Sequence, residues 1–110
     1  MRRVILESPY AGEVDRNVAY ARAALRHSLR KGEAPIASHL LYTQDGVLDD
    51  DLPDERALGI AAGLAWAPVA VAAVFYVDFG WSRGMEAARI RHAAARVPIE
   101  IRKLGAEWAQ

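Results

Sequence analysis

The chain has 110 residues, which suits one domain, and its fourteen Lys and Arg balance fourteen Asp and Glu. This neutral balance argues against a nucleic-acid polymer as the partner, because proteins that bind one carry a basic surface. The chain has no cysteine and is 53% hydrophobic, which excludes a disulfide framework and a thiol nucleophile and argues against extensive disorder.

Four short runs of apolar and β-branched residues predict strands. They lie near residues 3–7, 34–38, 70–78 and 98–102. Helical periodicity and end signals predict helices over residues 13–31, 54–66 and from Ser82 or Gly84 to Arg96. Strands that alternate with helices are typical of a parallel sheet with helices on both faces. The expected fold is therefore an α/β three-layer sandwich with a four-stranded parallel sheet, flavodoxin- or Rossmann-like, in a single domain over residues 1–110.

A polar connection over residues 38–53 precedes the second helix, and we expect its acidic run 49–51 to be a solvated loop that caps this helix. Within the helix, Gly59 and Gly63 lie four residues apart, so one face is almost smooth. Such a face is expected to pack closely against a sheet or a second subunit. We therefore predict self-association, at least to a dimer, through residues 58–66.

The longest weakly polar stretch spans residues 59–77 and contains Pro68. Because this stretch is rich in alanine and interrupted by proline, we expect a buried helix, a turn and a buried strand rather than a membrane span. The apolar run that begins at Val4 has three residues, too few for the core of a signal peptide. The expected compartment is the cytoplasm, without contact to a membrane.

The carboxyl ends of the predicted strands are where a ligand is expected, because open parallel sheets bind ligands there. Three segments meet this condition, residues 7–12, 38–39 and 78–86. Together they contain carboxylates, hydroxyls, glycines, aromatic rings, a guanidinium and an imidazole. This mixture is richer than loop closure alone requires.

Ser82, Arg83 and Gly84 stand at the predicted start of a helix that follows a buried strand. Free N–H groups and the positive end of the helix dipole favour an anion such as phosphate at this point. Ser82 would donate through its hydroxyl, Gly84 would let the backbone approach and Arg83 would add charge. The alternative is a plain N-cap at Ser82 and a tight turn at Gly84.

Glu86 lies in the first turn of the same helix, where the dipole stabilises any carboxylate. It is either an ordinary acidic residue at a helix start or a nucleophile aimed at an electrophilic carbon such as a sugar C1′. His39 follows the second strand and is either a ligand contact or a structural residue. His27 and His92 fall within helices and are expected to be partly exposed.

Several motifs are missing from the sequence. There is no Gly-x-Ser-x-Gly elbow, no Gly-x-x-x-x-Gly-Lys-Ser/Thr loop and no Gly-x-Gly-x-x-Gly fingerprint. No histidine or carboxylate spacing points to a metal. The sequence therefore predicts neither a metal nor a cofactor.

Two segments carry a resemblance to a known family. One is the strand followed by Ser8-Pro9-Tyr10-Ala11-Gly12, with Asn17 in the next helix; the other is the strand that ends at Asp78, followed by Ser82-Arg83-Gly84-Met85-Glu86. Over roughly residues 3–104, the chain resembles the nucleoside 2-deoxyribosyltransferase-like proteins, including the compact members that phages and prophages often encode. Gly84-Met85-Glu86 resembles the Gly-x-Glu of family enzymes, whose carboxylate is the nucleophile.

The resemblance implies that a nucleoside, or its 5′-monophosphate, binds across the strand ends and that Glu86 attacks C1′. The sugar then passes to another base or to water, through an oxocarbenium-like transition state. An acidic residue acts on the leaving base, and Asp51 and Asp54 are candidates from a cluster that also contains Asp49 and Asp50. Family members form dimers or higher oligomers. The candidate substrate-binding residues are Ser8, Pro9, Tyr10, Gly12, Asn17, His39, Asp78, Trp81, Ser82, Arg83 and Gly84, with Tyr10 or Trp81 stacking on the base.

Two functional classes and one structural alternative remain open at this stage. The protein is an enzyme that transfers or hydrolyses N-glycosidic bonds, a non-catalytic binder of a nucleotide or nucleotide-like signal, or an interaction module with an empty cleft. The enzyme requires Glu86 close to a second carboxylate and to the sugar. The binder requires only the phosphate loop and a stacking aromatic residue.

Overall fold

The secondary structure alternates between strands and helices along a computed structural model that describes residues 1–108. Within these residues the strands are β1 (Arg2–Glu7), β2 (Glu33–Ile36), β3 (Ala72–Tyr76) and β4 (Ile99–Arg102). The α-helices are α1 (Val14–Arg30), α2 (Ser38–Leu41), α3 (Pro53–Leu64) and α4 (Arg83–Ala94). Short 3₁₀ turns cover Ala67–Val69 and Ala106–Trp108.

The four strands form one sheet in the order β2-β1-β3-β4, and every neighbouring pair is parallel. The chain starts in the middle of the sheet, reaches one edge through α1 and then crosses over β1 to build the other half. All four predicted strands and all three predicted helices are present, with ends that differ from the prediction by at most two residues. The predicted α/β three-layer sandwich, flavodoxin- or Rossmann-like, is confirmed.

Two apolar cores cover the two faces of the sheet. On one face Tyr20 and Ala24 of α1 pack against Leu6, Val74 and neighbouring strand residues. On the other face Met85 and Ala88 of α4 pack against alternate residues of the same strands, with Leu64 of α3 at the margin. All five residues of β3 are buried, as expected for a central parallel strand covered on both faces.

The weakly polar stretch over residues 59–77 forms the end of α3, a 3₁₀ turn and β3, as predicted. No helix within residues 1–108 is both long enough and apolar enough to cross a bilayer.

The smooth face of α3 packs against its own chain. A Cβ on Gly63 would lie 2.5 Å from Ser38 Oγ, and one on Gly59 would lie 3.3 Å from Leu48 Cδ1. Ser38 begins α2, a four-residue helix inside the segment that the sequence predicted to be a polar connection. The two glycines therefore accommodate α2 and the loop after it rather than a sheet or a second subunit.

We expect Gly63→Ala to lower the free energy of unfolding by about 1–3 kcal/mol, because an added methyl group forces packed elements apart. The new Cβ would lie 2.9 Å from Ser38 Cβ, an atom that moves only with the backbone of α2. Gly59→Ala is the matched control, since it gains the same helical preference for alanine and meets only the end of a leucine side chain. Urea unfolding of both variants measures the difference; equal stabilities would contradict this close helix contact.

Glu33, at the start of β2, is a buried carboxylate whose side chain is 2% exposed. Arg102 donates to both of its carboxylate oxygens at 2.7 Å, and Arg2 and Ser28 donate one further hydrogen bond each. The hydrogen bonds from Arg102 are the main reason that the pKa of Glu33 is lowered to about 2. This network, which the sequence did not predict, ties the two edge strands β2 and β4 to α1.

Candidate functional site

A cavity of about 480 Å³ opens at the carboxyl ends of β1 and β2. Its walls come from the loop after β1, the start of α2, one face of α3 and the inner face of α4. The strand order reverses between β1 and β3, and the connections on the two sides of such a point diverge and leave a crevice. The cavity therefore lies where the topology of the sheet favours a ligand.

A carboxylate–imidazole pair forms part of the cavity wall. Glu7, the last residue of β1, places Oε2 2.7 Å from Nε2 of His92 on α4. The two side chains are 15% and 4% exposed, so the prediction that His92 is partly exposed is wrong. His92 Nδ1 is buried and has no hydrogen-bond partner within residues 1–108. An unprotonated Nδ1 is the least costly arrangement for such an atom, which makes Nε2–H the donor to Glu7.

A second imidazole faces the same cavity from the start of α2. His39 Nε2 lies 2.6 Å from Ser8 Oγ, while His39 Nδ1 is buried without a partner in the described part of the chain. Burial lowers the pKa of His39, although Glu7 and Asp50 act in the opposite direction. The neutral ring therefore uses Nε2 for Ser8, while Nδ1 is shielded from solvent.

The amino end of α4 supplies a cationic corner of the cavity. Ser82 caps the helix by accepting a hydrogen bond from Met85 N–H at 3.2 Å, and the first helical bond runs from Glu86 N–H to Ser82 O. The N–H groups of Arg83 and Gly84 precede that bond and have no acceptor within residues 1–108. They are the unsatisfied donors that every helix start presents.

Arg56 of α3 reaches the same corner. Its Nη2 lies 4.0 Å from the position that a Cβ on Gly84 would occupy, and its Nη1 is 3.0 Å from Asp50 Oδ2. Arg56, Arg83 and Gly84 all line the cavity. The Arg56 guanidinium beside two free N–H groups, with Arg83 also in the cavity wall, forms an arrangement that suits a phosphate or a carboxylate.

Asn17 holds the loop after β1 in place. Its buried amide donates to the carbonyl oxygens of Tyr10 and Ala11, at 2.9 and 3.3 Å. Tyr10 and Gly12 line the cavity, and Gly12 adopts a positive φ of 97° that favours glycine. Asn17 itself does not line the cavity. The structure thus places this predicted substrate-binding residue behind the loop, where it fixes the loop backbone.

Three further predicted substrate-binding residues lie outside the cavity. Asp78 accepts hydrogen bonds from the Tyr20 hydroxyl and from the N–H groups of Leu104 and Gly105, so it anchors the carboxyl-terminal segment. Trp81 packs on Phe75, with the ring centroids 5.1 Å apart. Pro9 is buried within its loop. These three residues stabilise the fold near the cavity but do not line it.

The three predicted catalytic carboxylates are exposed and also lie outside the cavity. Glu86, Asp51 and Asp54 are on the protein surface. After its first two residues, α4 lines the cavity with Met85, Ala88, Arg91 and His92, which recur at three- and four-residue steps. Glu86 follows Met85 and is rotated about 100° around the helix. The prediction that Glu86 points toward the cleft is therefore wrong in this structure.

The structure brings together about half of the predicted site. The predicted residues that line the cavity are Ser8, Tyr10, Gly12, His39, Ser82, Arg83 and Gly84. Sequence reasoning included Glu7 in segment 7–12 without giving it a role, and it missed His92, Arg56 and Arg91. The position of Glu7 at the end of β1 was a usable signal, whereas nothing local marks Arg56 or His92. No cluster of three or more histidine and carboxylate side chains in the described residues could hold a metal ion.

Comparison with known proteins found one relationship. No curated protein and no solved structure matches the chain. A family model described as a domain of unknown function, DUF7768, matches residues 2–102. Because this span includes all the strands and α-helices described above, the chain belongs to the DUF7768 family.

Proposed function

We propose that this cavity binds a nucleoside 5′-monophosphate. The observation that carries the proposal is the cationic corner at the amino end of α4, which faces the same cavity as Glu7, His39 and Tyr10. Helix N–H groups and guanidinium groups are the donors that phosphate prefers in proteins. The cavity volume of about 480 Å³ falls in the range of small-molecule sites.

The remaining cavity groups suit the other parts of a nucleotide. Tyr10 is half-buried at the wall and offers a ring face on which a base can stack. Glu7 and the hydrogen-bonded pair of Ser8 and His39 line the cavity and offer polar atoms for sugar hydroxyls or base edges. The resemblance to nucleoside 2-deoxyribosyltransferase-like proteins supports the same ligand class.

A second candidate is transfer or hydrolysis of an N-glycosidic bond. The observation that favours it is a carboxylate, Glu7, in the wall of the cavity. Binding without catalysis needs only the phosphate corner and Tyr10, so it is the function that the geometry supports best.

We also propose that the protein is cytoplasmic and self-associates, at least to a dimer. Leu58 and Trp66, at opposite ends of the segment predicted to self-associate, are exposed. We expect light scattering to give the mass of a dimer or a higher oligomer, and Leu58→Glu to shift that mass toward the monomer. A monomer for the unmodified protein at high concentration would contradict self-association.

Calorimetric titration tests the ligand class. Nucleoside 5′-monophosphates should bind more tightly than the matching nucleosides, and Arg56→Gln should weaken monophosphate binding by about 10- to 100-fold, because a charged hydrogen bond contributes roughly 1.5–3 kcal/mol. Nucleoside affinity should change little.

Arg89→Gln is the matched control. Arg89 lies on α4, the helix whose amino end is proposed to bind the phosphate, but its guanidinium stacks on Trp81 outside the cavity, so its loss should leave both affinities unchanged. Equal affinities for monophosphates and nucleosides, or an Arg56→Gln variant that binds like the unmodified protein, would contradict phosphate binding at α4.

A further inference from the structure

We propose that a basic stripe on α1 docks on the acidic segment around the start of α3 in a second copy of the chain. The basic stripe consists of Arg22, Arg26 and Arg30, and the acidic segment consists of residues 45–54. This contact is separate from the exposed surface around Leu58 and does not depend on a ligand in the cavity.

Charge is segregated along the first half of the chain. Residues 16–32 contain four arginines and one lysine but no carboxylate, whereas residues 33–55 contain seven carboxylates but no lysine or arginine. The ion pairs within residues 1–108 do not join these two blocks, because Glu33 and Asp50 pair with arginines outside residues 16–32. Each block therefore keeps charges that the fold of a single copy does not offset.

The basic stripe runs along the solvent side of α1. Its three residues are four positions apart, so they lie within one sector of about 80° of the helix, opposite the buried Ala24. All three are exposed and have no ion-pair partner within residues 1–108. Like charges four positions apart destabilise a helix, and only Arg30 lies in the last turn, where the helix dipole favours a cation. The stability of α1 therefore does not account for Arg22 and Arg26.

The acidic segment presents the opposite charge on another part of the surface. Four of its carboxylates are exposed and have no lysine or arginine partner in the described part of the chain, namely Asp45, Asp49, Asp51 and Asp54. Val47 and Leu52 lie among them and are 52% and 48% exposed, and Leu29 beside the basic stripe is 53% exposed. Both surfaces thus combine unpaired charges with apolar side chains, as the two sides of an interface do.

Charge complementarity points to a second copy as the occupant of the basic stripe. The chain as a whole is neutral, so it lacks the excess of positive charge that draws proteins to nucleic acids, and every copy brings an acidic segment for the stripe of another. Such a contact joins two different surfaces and is therefore heterologous. Complementary charges raise the association rate and fix the orientation of the partners, and salt weakens them because they are exposed.

Sedimentation velocity of proteins that all carry Leu58→Glu tests the contact without a contribution from the surface around Leu58. This parent should associate at about 50 mM salt and dissociate at about 500 mM, where exposed charges are screened. Reversal of the stripe by Arg22→Glu and Arg26→Glu should raise the dissociation constant by about 10- to 100-fold at low salt, because several small ion-pair contributions become repulsive. Reversal of the segment by Asp45→Lys and Asp51→Lys should do the same. Circular dichroism verifies that both variants remain folded.

An equimolar mixture of the two reversed variants gives the most specific result. The reversed stripe of one protein meets the reversed segment of the other, so the mixture should associate about as tightly as the parent although each variant alone does not. Arg96→Glu with Lys103→Glu is the matched control for the reversed stripe. It makes the same change in net charge at exposed positions outside both surfaces, and the dissociation constant should stay within a few-fold of that of the parent.

Four results would overturn the proposal. They are a parent that stays monomeric at low salt, an association that salt does not weaken, a mixture that stays monomeric, and a control variant that associates as weakly as the reversed stripe. Titration with a labelled single-stranded oligonucleotide adds a separate test of the occupant. Binding of the oligonucleotide by a monomeric parent, lost on reversal of the stripe, would assign the stripe to nucleic acid instead of a second copy.

Discussion

Replacing Glu33 by Gln is expected to lower the free energy of unfolding by about 3–5 kcal/mol, because removing one partner of a buried ion pair leaves an uncompensated charge. Arg102 would lose the carboxylate that takes two of its hydrogen bonds, and its side chain is only 10% exposed. Glutamine keeps the size of the side chain, so packing changes contribute little. Urea unfolding at neutral pH measures the loss.

The ion pairs of Glu33 also predict how the stability of the protein depends on pH. The pKa of Glu33 is about 2 in the fold against an ordinary value of 4.5, so its contribution is fully present above pH 4.5 and is lost as the pH falls toward 2. The difference corresponds to about 3 kcal/mol. The stability gap between the unmodified protein and Glu33→Gln should therefore narrow over this range.

Glu100→Gln is the matched control for this network. Glu100 also pairs with Arg2 and Arg102, but its side chain is 39% exposed, and exposed ion pairs contribute about 0–1 kcal/mol. A Glu33→Gln variant that loses no more stability than Glu100→Gln would contradict the view that the network holds the sheet edges together.

Replacing Asp78 by Ala should cost about 3 kcal/mol of stability and leave nucleotide affinity unchanged. Its carboxylate accepts hydrogen bonds from the buried Tyr20 and from the N–H groups of Leu104 and the exposed Gly105. A buried donor left without a partner costs about 1–3 kcal/mol. The residue lies outside the cavity. Thermal unfolding, and titration with a nucleoside 5′-monophosphate below the melting range, measure the two quantities.

Tyr20→Phe tests how much the hydrogen bond between Tyr20 and Asp78 contributes by itself. It removes one donor to Asp78 but keeps the ring against Phe79 and Trp108, so it should cost less than Asp78→Ala. An Asp78→Ala variant that keeps its stability but no longer binds nucleotide would contradict this structural role and indicate that Asp78 binds the substrate.

The fold was predictable because each strand carries its own signal. The alternation of strands with helices dictates a parallel sheet, and the run around β3 is apolar throughout, as a strand covered on both faces must be. α2 was missed because four residues are too few to show helical periodicity. The ion network of Glu33 was missed because it joins residues up to 98 positions apart, which no local pattern reveals.

The site residues that come directly after a strand could be predicted from the sequence. Ser8, His39 and Ser82 were expected at the carboxyl edge, and all three line the cavity. The direction of side chains on α4 was not predictable, because Glu86 and Met85 are one residue apart and only the packing of the helix decides which one faces inward. Arg56 belongs to an exposed stretch of α3 and enters the site only through the tertiary approach of α3 to α4.

An NMR titration of ¹⁵N-labelled protein with a nucleoside 5′-monophosphate tests most directly whether the cavity takes a phosphate at the amino end of α4. The largest amide shifts should appear at Arg83 and Gly84, with further shifts at Tyr10 and Gly12, and the matching nucleoside should leave the α4 amides unshifted. Shifts that avoid α4, or equal shifts there with nucleoside and monophosphate, would contradict the proposed nucleotide site.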